Sequence, residues 1–198
     1  MYHVKCTLRL GARHMKRAEQ KAATKTMILG LAARRLREQG LAGNAVHRLM
    51  RDCGLTHGGF YVHFPSKEAL DVAALEAAMA EHEARDAVIP ADLPRAEQRK
   101  LQMRRYLSRK HRDDISQGCP LAALLSEAAH GPEALRETFQ RLLAGVVTHA
   151  ADADGPPLPS EELALAALAM GGLALARAVP DPALSDAILA ACRDAADT

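Results

Sequence analysis

The sequence predicts an all-α chain in two parts, a small basic N-terminal domain and a larger acidic helical body. Three observations carry this reading. Hydrophobic residues make up 48% of the 198 residues, yet aromatics are only 3% and Trp is absent. A core built from Ala and Leu suits close-packed helices better than a sheet, which draws on β-branched and aromatic residues. Apolar residues also recur at i, i+3, i+4 and i+7 between Gly and Pro stops. Finally, residues 1–67 hold 13 Lys and Arg against 3 Asp and Glu, a net of +10. Residues 68–198 hold 13 against 21, a net of −8. Such asymmetry points to a polyanion partner for the N-terminal part.

The elements follow in order. Residues 1–15 are basic and their apolar stretch is short and broken by charge, so they read as a flexible basic arm or an upstream start, not a secretory signal. Lys16–Gln39 reads as one helix with Leu29, Ala32, Ala33 and Leu36 as its apolar stripe, stopped by Gly40. Asn44 is placed to cap a short helix over Ala45–Asp52, with Val46, Leu49 and Met50 inward. Cys53-Gly54-Leu55 forms a tight turn, and Thr56 caps a second short helix through Phe64. Pro65 ends it, and Ser66 caps the next long helix, over 66–84. Two short helices joined by a Gly-containing turn describe a helix-turn-helix, which places its second helix in the DNA major groove. Residues 16–65 would then be the DNA-binding domain and 66–198 the body. In the stretch GLTHGGFYVHFPSKEAL, residues 54–70, Leu55, Phe60 and Phe64 are spaced to hold the second helix inward, leaving Tyr61 and His63 outside.

In the body, a break at 89–94 precedes a helix over Arg95–Arg112, and 115–119 is a connector. Pro120 opens a helix to Ala129, where its missing N–H costs nothing. Helices over Glu133–Ala150, Ser160–Ala178 and Ala183–Ala195 complete the chain, with a loop at 152–159. Gly171 and Gly172 would permit close helix approach or mark a kink.

Several function classes are excluded. No run of about 18 apolar residues occurs, so no membrane helix is expected. His111-Arg112-Asp113 matches the opening of a kinase catalytic loop, but Gly118 stands where its Asn belongs and no Gly-rich loop accompanies it. GxSxG, P-loop and HExxH motifs are absent, so neither catalytic residues nor a metal or cofactor is expected, and His111, His130 and His149 read as ordinary histidines. Cys6, Cys53, Cys119 and Cys192 are far apart without a CxxC pair, so reduced thiols in a cytoplasmic protein are expected. Cys119 precedes Pro120 at a helix start, where the helix dipole lowers the pKa of an accessible thiol.

LTHGGFYVHFPSKEAL, preceded by the segment from Asn44 to Gly54, resembles the DNA-binding domain of the TetR family of bacterial transcriptional repressors. Tyr61, the aromatic Phe64 before Pro65, and the run Ser66-Lys67-Glu68-Ala69-Leu70 are its specific part. The resemblance is close over about residues 24–72 and elsewhere one of general layout. It implies that Thr56, His57 and Gly59 lie near base edges and that Tyr61 and His63 meet phosphates or bases. Lys67 would bind phosphate, and His47 and Arg48 the backbone or an outer base. His57 stands where the family often has Lys, and Gly59 where it often has Thr or Ser. The resemblance further implies a homodimer through the last two helices, at about 160–195, on a palindromic double-stranded operator, with release by a small-molecule inducer. Met103, Tyr106, Leu121, Leu125, Phe139, Leu143 and Met170 are candidates for the inducer pocket. The segment around Cys119 is similar to one in relatives that sense electrophiles, which makes Cys119 a candidate sensor. An activator or general DNA binder on the same fold fits the same residues. A helical carrier or enzyme would leave the charge split unexplained.

Overall fold

Helix α1 runs over His3–Gln39 and buries Ile28, Ala32, Ala33 and Leu36 completely. The computed structural model describes residues 3–86, 89–90, 92–151 and 157–197, with side chains over 16–85, 89–90, 92–150 and 157–197. Ile28 takes the deep position expected of Leu29, which is only partly buried. The backbone of the expected arm is helical from His3 onward, and no Pro stands in the sequence before Gly40 to interrupt it. Gly40 ends the helix at φ 64°, a conformation costly for any residue with a Cβ.

A short 3₁₀ turn over Gly40–Asn44 leads into α2, Val46–Asp52. Asn44 does not cap α2. It is fully buried, and its amide donates to Asp71 Oδ1 at 3.2 Å. Gly54, at φ 69°, makes the turn, with its N–H bonded to Arg51 O and that of Leu55 to Met50 O.

The second short element, His57–Val62, is a 3₁₀ turn and not the expected α-helix through Phe64. Gly59 N–H bonds back to Thr56 O and His63 N–H to Phe60 O, the three-residue spacing of that geometry. Two consecutive glycines favour α-helix weakly, and Thr56 makes no side-chain cap. Ser66 does cap α3, Lys67–Asp86, by accepting from Ala69 N–H at 3.0 Å.

The expected helix over Arg95–Arg112 is broken in two: α4, Arg95–Tyr106, and α5, Arg109–Asp113. Leu107 leaves helical geometry at ψ 43°, and Ser108 caps α5 through His111 N–H. A 3₁₀ turn at Ile115–Gln117 leads to α6, Pro120–Ala129; α7 spans Glu133–Ala151, α8 Ser160–Ala178 and α9 Pro182–Ala196. Of the expected loop at 152–159, residues 152–156 lie outside the described residues. No strand occurs among the described residues, and none of their helices is long and apolar enough to cross a membrane.

One core cluster holds Ile28, Leu49, Phe60, Phe64, Leu70, Leu75, Leu121, Leu135 and Leu173, so it runs without a break past residue 65 into the body. A second, smaller cluster of Met103, Leu107, Ala169, Ala176 and Leu189 joins α4, α8 and α9. Gly172 is needed there, because a Cβ on it would stand 2.6 Å from Cys192 Sγ on α9. Its role is close approach within the chain, whereas Gly171 faces open space.

Candidate nucleic-acid interface

Phe60 and Phe64 are the anchors of the exposed turn. Their rings stack at 5.7 Å, 0% and 2% exposed, on the core formed by α1, α2 and α3. Burying two large rings on so short an element is what fixes it, since a 3₁₀ turn has little stability of its own. The residues between and beside the anchors are forced outward. Tyr61 is 62% exposed and Val62 58%.

The outward side brings several of the sequence-predicted residues together. Tyr61 lies edge-on to His57 at 6.1 Å, and His57 lies 6.4 Å from His47 on α2. With exposed Thr56 and Arg48, they make a contiguous polar and aromatic face across α2 and the turn. A Cβ on Gly58 would meet nothing within 4 Å, and one on Gly59 only ordinary contacts with Thr56 and Met50. Nothing inside the protein therefore requires these two glycines.

Lys67 is less free than expected. Its ammonium pairs with Asp71 at 2.5 Å and donates to Leu41 O at 3.3 Å, while its side chain remains 44% exposed. Burial raises the Asp71 carboxyl above its ordinary value, against the lowering pull of Lys67 and Asn44. Asp52, the acid at the end of α2, is bonded by Arg35 and Arg51, and those bonds hold its carboxyl below the ordinary value.

His63 sits at the rim, half-buried, with its Nδ1 enclosed and unpartnered. Burial first, then Lys21 and Lys25, push its pKa down. Both lysines belong to α1, and the Lys25 ammonium lies 5.4 Å from the Phe64 ring centre. These two residues belong to the face and were not among the candidates. Their four-residue spacing was the signal that marks them as one ridge.

Two polar joints fasten this part to the body. The Arg37 guanidinium, its side chain 1% exposed, donates to Ser116 O at 2.9 Å, Ala78 O at 3.0 Å and Glu81 at 2.6 Å. Glu127 on α6 accepts from Leu41 N–H at 2.9 Å, and a Cβ on Gly40 would overlap that carboxylate.

The candidate pocket residues divide. Leu121 and Met170 are buried in the first core cluster, with Tyr106, Phe139 and Leu143 packed against it. Met103 lies in the second cluster, which Tyr106 also touches, and Leu125 is exposed. A surface hollow of about 640 Å³ between α5 and α9, lined by Ser108, Arg109, Leu189 and Arg193, contains none of them.

Cys119 does not meet the condition of an accessible sulfur. It is 2% exposed, and burial pushes its thiol pKa up despite the opposing Tyr106 hydroxyl and the N–H groups of Ala122 and Leu121. The dipole effect is real in direction but smaller than desolvation here. Its own N–H donates to His111 Nε2 at 3.0 Å, so the His111 proton is on Nδ1, facing Tyr106 O at 2.7 Å.

Comparison with known proteins agrees with this geometry. The family model described as "Bacterial regulatory proteins, tetR family" matches residues 28–74, which span the core half of α1, both short elements and the start of α3. No curated protein matches the chain. Among solved structures, a TetR-family transcriptional regulator from Cytophaga hutchinsonii superposes with a TM-score of 0.72 at 22% identity, covering 88% of this chain and 94% of that one. Escherichia coli NemR in its reduced form gives 0.71 at 21% identity, with 88% and 95% covered. A TetR transcriptional regulator from Chloroflexus aurantiacus gives 0.70 at 20%, with 90% and 94% covered. These likenesses show a shared fold along nearly the whole chain. The family model thus covers the N-terminal part of the chain, and the fold around it is the one these TetR-family regulators share.

Proposed function

We propose that the chain is a ligand-responsive transcriptional repressor that binds a palindromic operator as a homodimer and leaves it when a small molecule binds the body. The observation that carries the reading is the outward face built on buried Phe60 and Phe64, with Tyr61, His57 and His47 in ring contact and two glycines bare. Thr56, His57 and Gly59 are assigned to base edges. Tyr61, His63, Arg48, His47 and the exposed part of Lys67 are assigned mainly to phosphates, which position the domain and carry little sequence information.

Dimerisation through α8 and α9 is supported by Leu163, Leu175 and Leu184, which are 38%, 59% and 50% exposed on those two helices. Apolar side chains of this size are more than a solvated surface needs. An inducer seated among Tyr106, Leu121, Phe139, Leu143 and Met170 would bear on α6 and, through Glu127, on the Gly40–Asn44 turn. Release requires that it bind better to the arrangement that does not fit DNA.

Selection of genomic fragments on the purified protein tests the reading. The expected product is an inverted repeat whose half-site centres lie about 34–36 Å apart, or a multiple of that. Enriched fragments sharing no inverted repeat would overturn the dimeric repressor reading.

His63 gives a pH signature. In the free protein its pKa is depressed, so the ring is neutral at pH 7; a phosphate beside it would raise the value. Binding then takes up a proton wherever the pH lies between the free and bound values. Operator affinity is therefore expected to tighten as pH falls through that interval, and His63→Gln to flatten that part of the profile. Identical slopes for both proteins would remove His63 from the phosphate contacts.

A further inference from the structure

Residues 95–112 hold eight Lys and Arg against one acid, Glu97, inside a body whose net charge is −8. Five of the eight are tied down. Arg95 donates to His149 O and Ala150 O, Arg99 pairs with Glu161 and Glu162, Arg104 with Asp197, and Arg109 and Arg112 with Asp186. Lys110 is not. It is exposed, makes no ion pair among the described residues, and lines the hollow of about 640 Å³ between α5 and α9.

A hollow of that size falls within the range of small-molecule sites, which combine an apolar lining with a few polar groups. Ala187, Ala190 and buried Leu189 supply the apolar lining from α9, and Arg109, Lys110 and Arg193 bring three cations on long apolar stems. Asp186 is the one acid among the lining residues. Its carboxylate accepts from Arg109 Nε at 2.9 Å and Nη2 at 2.6 Å, and from Arg112 Nη1 at 2.8 Å, so its charge is already met. The Arg193 guanidinium donates to Leu107 O, an uncharged acceptor. Lys110 and Arg193 therefore leave the hollow with positive charge that the protein does not balance. Leu163, Leu175 and Leu184, assigned above to the dimer contact, do not line it, and neither do the candidates for the inducer pocket.

We propose that this hollow is a second small-molecule site whose ligand is an organic anion. A short aliphatic or aromatic body would lie against Ala187, Leu189 and Ala190, and a carboxylate or sulfonate beside Lys110 and Arg193. A neutral apolar molecule would leave the cations without a partner, and an inorganic anion would leave the apolar lining wet. The site is independent of the operator reading. Its ligand would bridge the break at Leu107 and Ser108, which Arg193 already holds, to the last helix.

The test is calorimetric titration of the full chain with octanoate and with 2-naphthoate, each beside its neutral carboxamide, and with acetate as an anion that lacks an apolar body. The expected result is saturable binding of at least one of the two anions, one per chain. Its carboxamide and acetate bind more weakly by about tenfold or more, the scale of one hydrogen bond to a charged group. Lys110→Glu weakens the anion by about tenfold or more on the same scale, Lys110→Arg retains it, and Ala187→Trp, which fills the hollow from its exposed edge, removes it. Both positions are exposed, and circular dichroism confirms that each variant is folded. Saturable binding undiminished in either Lys110→Glu or Ala187→Trp would place the anion elsewhere and overturn the inference. Equal binding of acid and carboxamide would remove the role of charge and overturn it too, as would the absence of saturable binding by both anions. All of these outcomes leave the operator reading untouched.

Discussion

Phe60→Ala is expected to cost about 3–5 kcal/mol of stability, as for other fully buried aromatics, and to abolish selective operator binding although Phe60 itself touches no DNA. Its ring is fully buried, stacks on Phe64 at 5.7 Å and supports Tyr61 edge-on at 5.2 Å. Removing it leaves a void beneath a 3₁₀ turn that has two glycines and no side-chain cap, with Phe64 as its one remaining buried ring. Phe60→Leu keeps most of the volume and is expected to cost much less and to retain binding. Urea melts followed by anisotropy check both. A Phe60→Ala protein with near wild-type stability and selectivity would mean that the turn is held by something other than its anchors.

The second large effect is at Arg37. Arg37→Met keeps the apolar stem but removes every donor, leaving the Ser116 carbonyl without this partner and that of Ala78 with its intrahelical bond alone. At about 1–3 kcal/mol for a buried polar group left unpaired, the expected loss is about 1–3 kcal/mol. Glu81 adds little, because its side chain is 43% exposed and water replaces the lost partner. The Ser116 bond ties α1 to the segment that leads into Cys119 and α6, so the variant is also expected to loosen the N-terminal domain from the body. Hydrogen exchange of residues 114–119 and thermal melts measure the two consequences. Unchanged protection there would show that Arg85, which donates to Gln117 O at 2.9 Å, holds the segment unaided.

How much of this was legible in the sequence depended on whether the deciding interaction was local. The stops at Gly40 and Gly54, the cap at Ser66 and the helix start at Pro120 are set by backbone chemistry within a few residues, and all occur where the residues place them. Asn44 was misread because its partner, Asp71, lies 27 positions away. The helix over Arg95–Arg112 looked continuous because Leu107 and Ser108 are ordinary helix residues. The break is accompanied by the Ser108 cap and by His111 joining Tyr106 O to Cys119 N–H. Cys119 shows a local rule overridden, the helix dipole yielding to complete burial. For the site, the spacing of Phe60, Tyr61 and Phe64 separated anchors from outward residues correctly. The contribution of Lys21 and Lys25 became visible only once α1 was seen to lie against Phe64.

The central claim is that the face carried by the His57–Val62 turn reads DNA. Fluorescence anisotropy with the selected duplex and its scrambled counterpart, for wild type and Tyr61→Ala at matched salt, tests it most directly. The account predicts wild-type binding at least about 10³-fold tighter on the selected duplex, with a large part of that affinity lost in Tyr61→Ala. Equal binding to both duplexes that disappears as salt rises, and is indifferent to Tyr61→Ala, would contradict it, because only a sequence-blind polyanion surface behaves that way.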